Sequence, residues 1–160
     1  IKYNELTLNL KLTKFKHVGL FPEQQTNWDF IEQKLKPNDK FLNLFGYTGV
    51  ASLIAKKCGA DVFHCDSVKQ IISWSKENME SSNQENIHWV LDDALKFASK
   101  EVKRGKKSDG IIMDQPAFGL GVKKERWKIE TKFPELVEMA SKTSPLFPKA
   151  RICLENTSSY

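Results

Sequence analysis

Residues 41–49 read Phe-Leu-Asn-Leu-Phe-Gly-Tyr-Thr-Gly and decide the fold. The apolar start is short enough for a buried strand, and residues 50–57 follow it with a helical pattern that stops at Gly59. Gly46 and Gly49 therefore bracket a turn that leads from a strand into a helix. Such a turn lets backbone amides and a helix N-terminus approach a ligand closely. The sequence predicts a ligand site at this turn.

The next apolar segment ends in an acid. Residues 61–66 read Asp-Val-Phe-His-Cys-Asp, and Asp66 follows Gly46 by 20 residues (66 − 46). Nucleotide-binding βαβ units place a carboxylate against a ribose hydroxyl at about this spacing. A carboxylate accepts charge-assisted hydrogen bonds from a pair of alcohols, which is a chemical reason for an acid here. The two segments together predict an adenosyl cofactor.

Composition sets the class of protein. The chain has 160 residues, enough for one domain with a hydrophobic core. A mean hydropathy of −0.47 and short apolar runs argue against a membrane location. The start of the chain has no signal-peptide pattern, and the cysteines (Cys58, Cys65 and Cys153) are scattered, so we expect a reduced, cytoplasmic setting. Nothing near His64 and Cys65 completes a set of four metal ligands, so both are interpreted as core residues and no metal site is expected.

The charge balance leaves the partner open. The net charge of +5 and the isoelectric point near 9.0 suit a nucleic-acid partner. Lysines that only solvate helix faces explain the same charge.

Two elements are predicted before the first glycine turn, in a lead-in of residues 1–37 to a domain of residues 38–160. Leucines at every second position from Leu6 to Leu12 predict a half-buried strand. Thr26 and Asp29 form a Thr-x-x-Asp capping box that predicts a helix start, and that helix should end before Pro37.

Strands and helices alternate through the rest of the chain. Further strands are predicted at 87–91, 110–113 and 150–154, helices at 67–81, 94–103 and 133–144, and a long loop at 115–131. This order predicts an α/β fold with a doubly wound parallel sheet, in which the five strands from residue 41 onward have the spatial order 3-2-1-4-5. Ligands bind such a sheet at the carboxyl ends of its strands.

Four short segments lie, in order, at these predicted strand ends. They are residues 43–49, Asp66, residues 92–94 (Asp-Asp-Ala) and residues 114–118 (Asp-Gln-Pro-Ala-Phe). Together they resemble the class I S-adenosylmethionine-dependent methyltransferases. The fourth segment is similar to the Asp-Pro-Pro-Lys-Phe motif of the ribosomal RNA large-subunit branch, and residues 15–29 are similar to that branch's lead-in. The resemblance covers about residues 15–157.

The resemblance implies a Rossmann-like, mainly parallel fold with an N-terminal strand and helix extension and without the family's C-terminal strands. It implies S-adenosylmethionine as cofactor, and RNA, foremost ribosomal RNA, as the acceptor in a direct attack on the sulfonium methyl. The implied catalytic residues are Asp114, Pro116 and Phe118. The implied cofactor residues are Gln24, Phe45, Gly46, Tyr47, Thr48, Gly49, Asp66, Ser67, Asp93, Ala94 and Asp114.

The fourth segment departs from the family motif. Gln115 and Ala117 replace a proline and the lysine, which leaves Pro116 to form the turn. Members that methylate cytosine C5 use a cysteine after the fifth strand, but residues 156–159 read Asn-Thr-Ser-Ser. Cys153 falls within the predicted strand and is interpreted as core. Covalent cytosine-C5 chemistry is therefore disfavoured.

Most of these residues also have a purely structural interpretation. Gly46 and Gly49 suit an ordinary strand-to-helix turn. Asp66 or Ser67, and likewise Asp93 with its neighbour Asp92, could cap the helices that follow them. Asp114 is harder to explain in this way, because an unpaired carboxylate at the end of a buried strand is costly.

Two basic clusters are candidates for RNA contacts. The first combines cations with an aromatic residue beside the expected acceptor pocket: Lys123, Lys124, Arg126, Trp127 and Lys128. An ordinary surface loop with Trp127 folded inward explains it equally. The second is interpreted as one solvated helix end: Lys96, Lys100, Lys103, Arg104, Lys106 and Lys107.

Three functions remain open from the sequence. The first is an RNA methyltransferase, and the second is a non-catalytic remnant that keeps the fold and cofactor site. The third is another nucleotide-binding enzyme such as a dehydrogenase, although Gly46-x-x-Gly49 lacks the full Gly-x-Gly-x-x-Gly turn.

Overall fold

The computed structural model of the chain describes residues 1–12, 18–115, 118–120 and 126–144. The strands are β1 (Lys2–Tyr3), β2 (Leu6–Thr7), β3 (Lys40–Leu44), β4 (Asp61–Asp66), β5 (His88–Leu91), β6 (Gly110–Met113), β7 (Phe118–Leu120) and β8 (Arg126–Lys128). The helices are α1 (Gln25–Lys34), α2 (Val50–Lys57), α3 (Lys69–Ser81), α4 (Ala94–Lys103) and α5 (Ile129–Thr143), and a short 3-10 helix covers Pro22–Gln24.

Four parallel strands form the central sheet. Their order is β5-β4-β3-β6, and each neighbouring pair is parallel. This confirms the predicted order 3-2-1-4, while the predicted strand at residues 150–154 lies outside the described residues. In the register, Leu44 pairs with both Cys65 and Met113, so the loops after β3, β4 and β6 begin at the same edge of the sheet.

Both faces of the sheet are covered. On one face Phe41 and Ile112 pack with buried residues of α1 and α2 such as Ile31 and Leu53. On the other face lies a cluster with α4 and α5: Leu42, Leu44, Cys65, Phe97, Ala98, Ile111, Met113 and Leu136. A strand buried on both sides reads as a continuous apolar run, which is why these strands could be recognised.

The predicted strand from Leu6 to Leu12 is right only at its start: β2 covers Leu6–Thr7, and Leu8 is still buried. Leu6 pairs with Tyr3 in a short antiparallel hairpin, whereas Leu10 and Leu12 are 45% and 96% exposed. The chain leaves the strand because Asn9 binds helix α3 instead. Its backbone N–H donates to Asn78 Oδ1 at 2.8 Å, and its carbonyl accepts from Trp74 Nε1 at 2.6 Å.

The predicted capping box is also wrong. Helix α1 begins at Gln25, directly after the 3-10 helix, and Thr26 lies inside its first turn. Gln24 holds the N-cap position, and within the described residues no side chain caps this helix. Because the 3-10 turn already brings the backbone into a helical conformation before Gln25, the helix can begin without a side-chain cap.

The predicted long loop at residues 115–131 contains regular structure. Strands β7 and β8 pair antiparallel, with Gly119 opposite Trp127, and α5 begins at Ile129 rather than near residue 133. Strands of three residues are too short for an alternating pattern to reveal them. Across the described part of the chain, none of the helices is long and apolar enough to cross a membrane.

Truncation of the core should lower stability strongly. Leu53 is fully buried against the sheet, so Leu53→Ala should lower the free energy of unfolding by about 2–5 kcal/mol through lost burial and the cavity left behind. The same substitution at exposed Leu12 should change it by less than about 0.5 kcal/mol. Guanidinium unfolding of both variants measures the difference, and equal effects would contradict the assigned core.

Candidate functional site

The turn after β3 has an unusual backbone. Phe45, Tyr47 and Gly49 have φ angles of 60°, 48° and 90°, all in the left-handed region. This conformation costs a non-glycine residue roughly 1–2 kcal/mol. The Gly49 N–H donates to the Gly46 carbonyl at 3.0 Å, and the Gly49 carbonyl accepts the first helical hydrogen bond, from Leu53. Residues 45–49, named the glycine loop below, thus deliver the chain directly to the start of α2.

Asp66 joins two loops at the sheet edge. Its Oδ2 accepts from the Tyr47 N–H of the glycine loop at 3.1 Å, and its Oδ1 accepts from the Val68 N–H at 2.9 Å. Val68 is the N-cap of α3, and among the described residues no side chain caps that helix. Neither Asp66 nor Ser67 therefore has the capping role that was the structural alternative. The carboxylate instead orients the glycine loop.

Burial affects the charge of this acid. Desolvation is the largest cause that raises the pKa of Asp66 above its ordinary value. Backbone hydrogen bonds from Val68, Tyr47 and Ser67 act in the opposite direction but do not cancel it. Asp66 is thus a carboxylate whose charged form gains from additional hydrogen-bond donors.

Helix α3 donates hydrogen bonds to two carbonyl groups of the glycine loop, and the lead-in accepts one from a side chain of the loop. Ser75 Oγ donates to the Tyr47 carbonyl at 2.5 Å, and Asn78 Nδ2 donates to the Thr48 carbonyl at 2.9 Å. Thr48 Oγ1 in turn donates to the carbonyl of Gly19 at 2.7 Å. The loop is therefore tied on three sides: to β4, to α3 and to the segment before α1.

A cavity that is open to solvent lies between the glycine loop, α1 and the end of β6. Its lining comprises Leu20, Phe21, Gln24, Trp28, Asn43, Phe45, Gly46, Tyr47, Thr48, Gly49, Val50, Ala51, Ile112 and Asp114. The structure thus brings together seven predicted site residues: Gln24, the five loop residues and Asp114. Asp66 does not line the cavity but is joined to it through Tyr47.

Asp114 has a defined orientation in this cavity. Gln24 Nε2 donates to Asp114 Oδ2 at 3.2 Å, and Asn27 Nδ2 donates to Gln24 Oε1 at 2.8 Å. Gln24 is 5% exposed and Asp114 is half-buried, so the hydrogen bond between them is partly sheltered from water. Gln24 was predicted from the sequence and does reach Asp114. Asn27 was not predicted, and its spacing of one helical turn from Gln24 was the available signal.

Asp92 and Asp93 follow β5, and the family resemblance implies that Asp93, with Ala94, contacts the adenine of the cofactor. Asp93 Oδ1 accepts from the Lys96 N–H at 3.0 Å and caps α4, as the structural alternative stated. Asp92 accepts from the Asp93 N–H and from Lys100 Nζ. A cap occupies one carboxylate oxygen, so the assignment of Asp93 and Ala94 to adenine stays a prediction.

Several predicted residues lie outside the described ranges: Pro116, Lys123, Lys124 and Cys153. Phe118 lies in β7, and Arg126, Trp127 and Lys128 form β8. In the second basic cluster Lys100 pairs with Asp92 and Arg104 with Glu101, as expected for a helix surface.

Cys65 is a core residue. Its Sγ donates to the Asp92 carbonyl, and burial raises its pKa. Within the described residues, no His, Cys, Asp and Glu side chains are grouped in a way that could hold a metal.

Sequence patterns did not reveal the residues that support the glycine loop from α3 and from the interior. Ser75 and Asn78 lie on a helix face that reads as ordinary, and His64 was interpreted as core. Their role depends on how α3 packs against the loop, which no local pattern encodes.

Comparison with known proteins places these features in a family context. No family model matches the chain. A protein of Methanocaldococcus jannaschii with the provisional name ribosomal RNA large subunit methyltransferase is 32% identical over 102 residues, which are 62% of this chain and 26% of that protein. The ribosomal RNA large subunit methyltransferase K/L of Photobacterium profundum is 32% identical over 120 residues, or 72% and 16% of the two chains.

A solved structure is more similar over a longer stretch. The crystal structure of a SAM-dependent methyltransferase from Agrobacterium tumefaciens has a TM-score of 0.88 and 36% identity, covering 95% of this chain and 50% of that one. The predicted resemblance to class I methyltransferases, and the fold it implies, are therefore confirmed. The chain therefore spans only 26% and 16% of the lengths of the two curated relatives and half of the Agrobacterium protein.

The raised pKa of Asp66 should appear in the pH dependence of stability. The unfolded carboxylate ionises near pH 4, and the folded one at a higher pH, so between the two values the folded state binds more protons. The contribution of Asp66 to the free energy of unfolding therefore falls as pH rises through this window. Asp66→Asn should gain stability relative to the wild type as pH rises above about 4.

Urea unfolding at several pH values measures this difference. Ser67→Ala, an adjacent change without a titrating group, should keep the wild-type pH dependence. A parallel pH dependence of wild type and Asp66→Asn would contradict the raised pKa.

Proposed function

We propose that the whole protein is a methyltransferase that uses S-adenosylmethionine. The observation that carries this proposal is the Asp66 carboxylate, which bridges the glycine loop and the loop after β4 at the carboxyl edge of the sheet. Its two oxygens accept from the Tyr47 and Val68 N–H groups, with a further backbone hydrogen bond from Ser67, and they keep acceptor capacity for the ribose hydroxyls. Donation from the ribose favours the charged form, which burial disfavours.

The remaining cofactor contacts follow from the geometry around this acid. In our proposal the methionine part of the cofactor lies against the glycine loop, within the cavity that also contains Asp114. The adenine lies toward Asp93 and Ala94, which follow the neighbouring strand β5. Ser67 lies between Asp66 and Val68 in the loop after β4. We assign it to the ribose end of the cofactor site.

The reaction we propose is a direct displacement. S-adenosylmethionine supplies a methyl group on an activated sulfonium, so the protein needs chiefly to position the acceptor atom. Asp114 lies at the end of β6, and the hydrogen bond from Gln24 holds its carboxylate in the cavity. Pro116 and Phe118 are proposed to orient the acceptor beside it.

RNA is the acceptor class that we propose, with ribosomal RNA foremost. The names of the curated relatives and the net charge of +5 support it. The cluster of Lys123, Lys124, Arg126, Trp127 and Lys128 is the proposed contact surface, and β8 carries three of its members. We propose that the protein acts in the cytoplasm. We also propose that residues 1–37 form the lead-in and that residues 38–160 belong to the cofactor-binding domain.

A non-catalytic cofactor-binding protein is the second candidate, and Gln115 is the observation that favours it. This residue replaces a proline of the family motif, and it is buried at 3% exposure. Its Oε1 has no hydrogen-bond partner among the described residues. A methyl-transfer assay on RNA with the full-length protein separates the two candidates, because the second predicts cofactor binding without transfer.

Loss of the Asp66 carboxylate should weaken cofactor binding. In Asp66→Ala the affinity for S-adenosylhomocysteine should fall by about 1.5–3 kcal/mol, because charge-assisted hydrogen bonds to the ribose are lost. Titration calorimetry of the full-length protein measures this change, with NAD and ATP as competing ligands.

Asp61→Ala is the matched control, since Asp61 is an exposed acid at the opposite end of the same strand. The affinity of Asp61→Ala for S-adenosylhomocysteine should equal that of the wild type. Unchanged affinity in a folded Asp66→Ala variant, or tighter binding of NAD or ATP by the wild type, would contradict the proposed cofactor site.

Asp114 should affect turnover more than cofactor affinity. Asp114→Asn keeps the size of the side chain but removes its charge, so methyl transfer should slow by about 100-fold, because the acceptor is misplaced. The dissociation constant for S-adenosylhomocysteine should change by less than about threefold. Single-turnover methyl transfer to RNA measures the first effect.

Cys153→Ser is the control for a covalent mechanism and should keep nearly full activity. Full activity in Asp114→Asn, or an RNA adduct trapped on Cys153, would contradict direct displacement.

A further inference from the structure

A buried polar chain runs underneath the glycine loop. Its central member is His64, in the middle of β4, which is 0% exposed. His64 is the register partner of Asn43 in β3, and both lie below the loop that follows β3. Asn43 also lines the cavity, whereas His64 does not.

The hydrogen bonds of this chain have a consistent direction. Asn43 Nδ2 donates to Ser52 Oγ at 2.9 Å, and Ser52 Oγ lies 2.9 Å from His64 Nδ1. Because Ser52 accepts from the amide, its own proton is available to Nδ1, which places the ring proton on Nε2. That nitrogen faces Ser75 Oγ at 3.5 Å, the hydroxyl that binds the Tyr47 carbonyl at 2.5 Å.

The ring also fixes the height of the loop. A Cβ atom added to Gly46 would lie 2.4 Å from His64 Cε1 and 2.6 Å from Nδ1, so Gly46 rests directly on the imidazole. Three residues further along the loop, a Cβ on Gly49 would lie 3.2 Å from the Cβ of Ser75. The loop thus lies on a surface made by His64 and Ser75.

His64 is neutral under ordinary conditions. Burial is the largest cause that lowers the pKa of His64 to about 3, and a hydrogen bond to the Tyr47 backbone opposes it only in part. A neutral ring offers one donor and one acceptor: Nδ1 accepts from Ser52, and the donor Nε2 faces Ser75 Oγ, next to the Tyr47 backbone.

We propose that His64 is a positioning residue for the cofactor. Its ring supports Gly46 from below and, together with Ser75, holds the Tyr47 carbonyl, so that the loop presents a single surface to the bound cofactor. His64 acts through the loop and not by touching the ligand. This inference rests on the proposed function, because the glycine loop is the proposed binding surface for the methionine part.

A role in packing alone makes a different prediction. An apolar side chain of similar size would fill the space, and its loss would lower stability without altering the affinity of the folded protein. The test therefore compares affinity with stability in the full-length protein. His64→Leu keeps most of the volume but removes both hydrogen bonds, and it should raise the dissociation constant for S-adenosylhomocysteine about tenfold or more.

Val62→Ala is the matched control, because Val62 is fully buried two residues away on the same face of the same strand and packs in the α1 and α2 core, away from the glycine loop. It should lower the unfolding midpoint while the dissociation constant stays within about twofold. An affinity of His64→Leu within twofold of the wild type would overturn the proposal.

Two further variants keep the test decisive if His64→Leu does not fold. Ser75→Ala should raise the dissociation constant about threefold or more and speed hydrogen exchange at the Tyr47 amide. Gly46→Ala should abolish binding, and His64→Ser combined with it should restore part of the affinity, because serine makes room for the added methyl group. Unchanged exchange and affinity in Ser75→Ala, or a double variant no better than Gly46→Ala, would overturn the proposal.

The exchange measurement is independent of the ligand. Wild-type protein that fails to bind S-adenosylhomocysteine would contradict the proposed function, and the loop-support role of His64 would then be decided by the exchange of the Tyr47 amide.

Discussion

A left-handed backbone between β3 and α2 is the constraint on which the rest of the site depends. Of its three left-handed residues, Phe45 and Tyr47 are not glycine, and each adopts this conformation at a cost of roughly 1–2 kcal/mol. Hydrogen bonds from outside the loop offset that cost. Asp66 accepts from the Tyr47 amide, Ser75 holds its carbonyl, and Asn78 holds the next one. The strained turn therefore persists because β4 and α3 determine it together.

The same arrangement explains the electrostatics of the sheet edge. Parallel strands bring their carboxyl ends to one edge, and this chain ends β4 with Asp66 and follows β6 with Asp114. Burial makes the charge of Asp66 unfavourable in the free protein, while Asp114 is held by Gln24. Because burial disfavours the charged form of Asp66 in the free protein, a ligand that donates hydrogen bonds to this carboxylate stabilises the charge when it binds.

Much of the fold and part of the site could be predicted from the sequence. Strands β3 and β6 were recognisable because burial on both faces requires apolar runs, and the glycines and acids at strand ends marked the site. The family resemblance predicted both Gln24 and Asp114 as cofactor residues, but the hydrogen bond between them joins residues 90 positions apart and was not predicted. The leucine repeat predicted too long a strand, because Asn9 binds α3 and Leu10 and Leu12 then face solvent. The roles of Ser75, Asn78 and His64 depend on tertiary packing, which local patterns do not contain.

A crystal structure of the full-length protein with S-adenosylhomocysteine tests the central claim most directly. The quantity to measure is the distance from the ribose hydroxyl oxygens to the two carboxylate oxygens of Asp66. We expect both distances to be about 2.5–2.8 Å, with the Tyr47 amide still bonded to the same carboxylate. A ribose bound away from Asp66, with the glycine loop unoccupied, would contradict the assignment of this edge of the sheet as the cofactor site.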